Sequence, residues 1–252
     1  MYFTASPERY RVPDPNAKAA ATEEDNAMNR REWLSAVTVV CTAMLFFTSA
    51  RAEDTTETIV FVRHAEKPAQ GLGQLSCPGL NRALSLPAVI QSGFKQISAI
   101  YAPNPTVQKV DHHVAYDYVR PLATIEPTAI RLGLPVNVSI GIVSGSDDDD
   151  DQADTKEAPL NEALESALTQ PGYRSATLLV AWEHKEITTL ARHLLATNGG
   201  NPDDAKKWHG ADFDSIYVVR IVQTAAGKTA SIDLKHEGLD AAPQIWPCPK
   251  DN

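Results

Sequence analysis

Arg63-His64-Ala65-Glu66-Lys67-Pro68 stands directly behind the apolar run Thr58-Ile59-Val60-Phe61-Val62. Imidazole can act as a nucleophile, and guanidinium is the cation best shaped for phosphate oxygens. A buried strand ending in Arg-His would deliver both groups to the carboxyl edge of a sheet, where open α/β sheets bind ligands. The plainer alternative is a polar loop that happens to follow a strand.

The elements that would position this pair are written along residues 53–252. The strand at 58–63 leads through a turn with Gly71 and Gly73 into a helix opening near Ser76, with Leu80, Ala83 and Leu84 on one face. Ile97 to Ala102 reads as a second strand, stopped by Pro103 and Pro105. Arg120-Pro121 opens another helix, with Leu122, Ile125, Ala129 and Leu132 at helical spacing, a kink expected at Pro127 and a stop at Gly133. Residues 141–156, with five consecutive acids from Asp147 to Asp151, read as a solvated loop.

A short helix is expected over Asn161–Leu168. The continuous apolar run Thr177–Trp182 has the pattern of a strand buried on both faces. The helix behind it sets Ile187, Leu190, Leu194 and Leu195 on one side and stops at Gly199-Gly200. Ser215–Val222 and Thr229–Leu234 alternate around a turn with Gly227, forming an antiparallel hairpin at the sheet's edge. The expected architecture is a three-layer α/β/α sandwich whose central sheet is mostly parallel.

Composition is that of a globular protein, with 43% hydrophobic and 22% charged residues, so wholesale disorder is excluded. A formal net charge of -9 and the lack of a long basic stripe argue against nucleic acid as a partner. Upstream, the basic Met28-Asn29-Arg30-Arg31, the apolar Ala36–Phe47 and the small-residue stretch Thr48-Ser49-Ala50-Arg51-Ala52 follow the order of an export signal. Residues 28–52 are therefore expected to be a signal peptide, cleaved near Ala52 to start the mature chain at Glu53 in a periplasmic or extracellular setting. Membrane contact is expected only through that transient segment, since the apolar stretch is short for a bilayer. Residues 1–27 are polar and without periodicity, and read as a disordered extension or as sequence upstream of a true start at Met28. Cys41 lies inside the signal. Cys77 and Cys248 remain, and in an oxidising compartment they suggest a disulfide tying the C-terminal tail to the first helix; the alternative is two unpaired small hydrophobes.

The succession of strand, Arg-His, a helix containing Gly79-Leu80-Asn81-Arg82-Ala83, a later helix opening at Arg, and an apolar strand ending at His resembles the histidine phosphatase superfamily. The resemblance covers most of residues 58–222 and implies a phosphoglycerate-mutase-like fold. It implies that His64 is the nucleophile, carrying a phosphohistidine intermediate, with Arg63 beside it. Arg120, heading Arg120-Pro121-Leu122-Ala123-Thr124-Ile125-Glu126-Pro127, matches the family's second arginine. His184, closing Ala181-Trp182-Glu183-His184, matches its second histidine. Arg63, Arg120 and His184 would bind the phosphoryl group of a small phosphorylated substrate, a phosphoric monoester or anhydride, with no metal or other cofactor. The chemistry agrees: phosphoryl transfer is mostly positioning and charge stabilisation, and two arginines offer bidentate donors.

The chain departs from the family pattern in three places. Ala65 stands where most members have Gly. Asn104–Val119 is a long passage from strand to arginine, and within it Lys109 competes for the second cation's role. The general acid is not fixed: Glu183, Glu66 (also a partner for Lys67) and the carboxylates of 147–157 are candidates. Asp111-His112-His113 could suggest a metal but reads as a solvated loop without a spaced third ligand. The rival function is a binding protein that captures phosphorylated ligands without turning them over.

Overall fold

The computed structural model describes residues 53–111, 113–143, 158–241 and 243–249. The extension, the signal-like segment with its cleavage site, and the acidic run with its candidate carboxylates lie outside the described residues. None of the helices among those residues is long and apolar enough to cross a membrane.

β1 (Thr55–Arg63) runs at the centre of a six-stranded sheet. α1 (Cys77–Gly93) follows, then β2 (Ile97–Tyr101), a hairpin of β3 (Gln108–Asp111) and β4 (Val114–Asp117), α2 (Arg120–Leu132) and the two-residue β5 (Val136–Asn137). α3 (Glu162–Leu168), β6 (Thr177–Trp182), α4 (His184–Thr197), β7 (Ser215–Thr224) and β8 (Gly227–His236) complete the chain. The sheet order is β5-β2-β6-β1-β7-β8. β5, β2, β6 and β1 are parallel neighbours, while β7 runs antiparallel to β1 and β8 to β7. The result is an α/β/α sandwich with a mostly parallel sheet and an antiparallel hairpin at its edge.

Strand periodicity builds the two outer layers. Ile59 and Phe61 of β1, with Leu178, Val180 and Trp182 of β6, pack under α3 and α4. The alternate residues Val60, Val62, Leu179 and Ala181 pack under α1 and α2. β1 and β6 are thus apolar on both faces, as strands covered by helices on either side must be.

Three sequence expectations need correction. The buried face of α1 is Gly79, Ala83, Leu86 and Ile90, while Leu80 and Leu84 are about 40% exposed. The cause is Gly79: a Cβ there would stand 2.3 Å from the carbonyl oxygen of Glu66, so the helix turns its bare glycine to the chain after β1. Second, the long passage from strand to arginine, residues 104–119, holds an element the sequence did not announce, the β3–β4 hairpin. Third, Asp111 is not in a solvated loop; it ends β3 and is buried. α2 runs from Arg120 to Leu132 with Pro127 inside it and ends at Gly133, whose φ is 67°.

Candidate active site

Register fixes the first two residues. β1 and β6 run parallel with Arg63 opposite Trp182, and the His64 N–H donates to the Trp182 carbonyl at 3.2 Å. The carboxyl ends of the two strands therefore lie side by side, and the chain beyond each begins at the same edge. Arg63 is buried there, its Nη1 donating to the carbonyls of Gly210 and Asp212, and its guanidinium sits 4.1 Å over the ring of Phe213.

His64 is buried, with Nδ1 2.8 Å from the Ala65 carbonyl oxygen. A carbonyl only accepts, so Nδ1 carries the proton and Nε2 of the neutral ring keeps its lone pair. Burial, and then the charges of Arg63 and Arg120 and a smaller one from His184, pull the His64 pKa well below 6.5, against the opposing Ala65 bond. Neutral imidazole is the nucleophilic form.

Arg120 opens α2 and is fully buried. A relay ties it to the turn after β1: the Ala65 N–H donates to Thr124 Oγ1, and that hydroxyl donates to the Arg120 carbonyl, each at 2.9 Å. The Arg120 guanidinium donates to Asp111 Oδ2 at 2.9 Å, and Lys67 Nζ lies 3.6 Å from Oδ1 of the same carboxylate. Gly71, at φ 76°, makes room for that carboxylate, because a Cβ there would come within 2.2 Å of it. Lys109, two residues before Asp111, is on the same buried face of β3.

Tyr118 joins these groups. Its ring meets the His64 imidazole edge-on at 5.9 Å between centroids, and its face carries Arg120 and Lys109, each at 4.9 Å. Phe213 lies 6.1 Å from the imidazole. Lys109 was legible as a competing cation, whereas Tyr118, Thr124 and Phe213 carried no sequence signal.

His184 is the first residue of α4, and Glu183 is its N-cap. Glu183 Oε2 accepts from the Glu186 N–H at 2.9 Å, and Oε1 lies 2.8 Å from His184 Nδ1. Burial alone would raise the Glu183 pKa. The contact with His184, the charge of Lys109 and the Glu186 N–H outweigh it and hold the carboxyl well below its usual range. A carboxyl held toward its ionised form is disfavoured as the general acid. β6 stops at Trp182, so Glu183 and His184 belong to the start of a helix rather than to the end of the strand.

Glu66 accepts from Arg82 Nε at 2.9 Å and Nη2 at 2.8 Å, so its carboxylate turns toward α1. Its partner is Arg82, while Lys67 lies against Asp111. Cys77 and Cys248 are joined by a disulfide. Among the described residues, no cluster of three or more His, Cys, Asp or Glu is placed to hold a metal ion.

No family model matches the chain, and no curated protein matches it. Solved structures of similar fold include a mycobacterial glucosyl-3-phosphoglycerate phosphatase, at 14% identity and TM-score 0.46 over 71% of this chain and 97% of that one. Another is the phosphoglycerate mutase of Plasmodium falciparum, at 16% identity and TM-score 0.40 over 78% of this chain and 99% of that one. A third is the protein histidine phosphatase SixA complexed with tungstate, at 14% identity and TM-score 0.42 over 71% of this chain and 97% of that one.

Proposed function

We propose that the protein is an exported phosphohydrolase that works through a phosphohistidine on His64 and needs no metal. What supports the reading most is His64: it is buried, its Nδ1 lies 2.8 Å from the Ala65 carbonyl oxygen, and burial, then the charges of Arg63 and Arg120, lower its pKa and favour the neutral ring. Nε2 attacks phosphorus as the P–O bond to the leaving group breaks. Water then attacks phosphorus, forming a new P–O bond as the P–N bond breaks, and the products are neutral imidazole and inorganic phosphate, which keeps the water's protons. Arg63, Arg120 and His184 supply positive and hydrogen-bonding groups for the equatorial oxygens, where transition-state charge collects. The export part rests on the basic, apolar, small order of residues 28–52.

Glu183 is held ionised and Glu66 is turned to Arg82. With those two candidates accounted for and no other acid assigned among the described residues, the reading favours substrates whose leaving group departs as a stable anion or is already protonated: aryl and acyl phosphates, anhydrides, phosphoramidates. The test is hydrolysis of an aryl phosphate in EDTA by the wild type and by His64→Ala. Turnover in the wild type, lost by at least about 10³-fold in the variant, is the expected result. Tight phosphate binding without turnover would instead identify a binding protein, and turnover that survives in the variant would exclude His64 as nucleophile.

A further inference from the structure

The hydroxyl of Tyr118 is buried and has no hydrogen-bond partner among the described residues, although the residue is fully enclosed. The rest of Tyr118 is accounted for. Its N–H donates to the Val107 carbonyl, its ring stands at right angles to that of His64, and its ring face takes Arg120 and Lys109. A buried phenol almost always finds a partner, because leaving its O–H unsatisfied forfeits the hydrogen bonds it made with water. An orphan donor among the very groups that surround a nucleophile calls for an acceptor brought in with the ligand.

We infer that the Tyr118 hydroxyl donates a hydrogen bond to an oxygen of the bound phosphoryl group, as an uncharged partner to the two guanidinium groups. This rests on the function proposed above. The charges felt by the phenol are those of the site itself: Arg120, Glu183, Arg63 and Glu186. Burial outweighs the arginines and pushes the phenol far above its usual range, so it stays O–H at any working pH. An arriving phosphate anion would raise it further. Tyr118 is therefore a donor that keeps its proton, and no proton transfer is assigned to it.

Tyr118→Phe keeps the ring and removes only the hydroxyl. The probes are inorganic phosphate as competitive inhibitor and an aryl phosphate as substrate. The expected result is a phosphate inhibition constant raised about 10-fold and kcat/KM lowered about 10- to 100-fold, the range for one lost donor at a developing charge. The thermal midpoint without phosphate should not fall, while its upward shift with phosphate should shrink. A variant equal to the wild type in inhibition and turnover would overturn the inference and leave the phosphohydrolase reading intact. So would a variant that unfolds, since the hydroxyl would then be holding the fold. A wild-type protein that neither binds phosphate nor turns over the ester would overturn both, and is told apart by that control.

Discussion

One proton decides whether His64 can act. Its Nδ1 hydrogen is committed to the Ala65 carbonyl, so a second proton could bind only at Nε2, the attacking atom. Burial first, then Arg63 and Arg120, disfavour that second proton and lower the pKa. A lowered pKa means the neutral form survives as pH falls. The acid limb of kcat/KM, which reports the free enzyme, should therefore lie well below pH 6.5; a limb at or above 6.5 in a pH–rate profile would contradict this. Arg63-His64 was readable because a doubly covered strand is a continuous apolar run, and its end is visible where polarity begins. The apolar run already stops at Trp182, but nothing in Glu183-His184 marks the pair as the cap and first residue of a helix rather than the end of the strand. There the Glu183 carboxylate caps the Glu186 N–H, and the contact with His184 and the charge of Lys109, more than the cap, hold it ionised.

Among the elements, α1 and the β3–β4 hairpin set the surroundings of the nucleophile. α1 presses Gly79 against the Glu66 backbone, two residues beyond His64, and the Ser76 N–H donates to the Glu66 carbonyl at 2.8 Å. Two effects oppose each other in Gly79→Ala. Helix propensity would favour alanine by about 1 kcal/mol, but the new methyl would meet backbone atoms that have nowhere cheap to go, and overpacking of this kind costs about 1–3 kcal/mol. The clash, at 2.3 Å from a carbonyl oxygen, should win. Denaturant unfolding should show lower stability, accompanied by a lower kcat as the 64–66 turn shifts; a stabilised variant with unchanged kcat would contradict this packing. The hairpin was invisible in sequence because its buried face is polar, Lys109 and Asp111, rather than apolar. The alternation that betrays a strand was present in burial but not in hydrophobicity. Tyr118 was hidden for the same reason, since its place depends on that hairpin. The position of α1 is written in its cap and periodicity, but its buried face follows Gly79 rather than the leucines.

Across the whole molecule, the parallel strands do the gathering. β1 and β6 end at one edge, so residues 63–64 and 183–184 come together although they are far apart in the chain. Arg120 enters from α2, tied to the post-β1 turn through Thr124. The C-terminal end of the chain is bound to α1 by the Cys77–Cys248 disulfide and by Arg82, which pairs with Glu237 and Asp240 as well as Glu66. This architecture was largely legible, since alternating strands and helices with short connections leave few ways to cover a parallel sheet. The meeting of its four basic side chains at one phosphoryl group is the central claim, and trapping the intermediate tests it most directly. The protein is mixed with labelled substrate, quenched in alkali and mapped by peptide. The account predicts a base-stable, acid-labile phosphoryl group on His64 alone, absent from His64→Ala. Turnover with no trapped label, or label on any other residue, would contradict it.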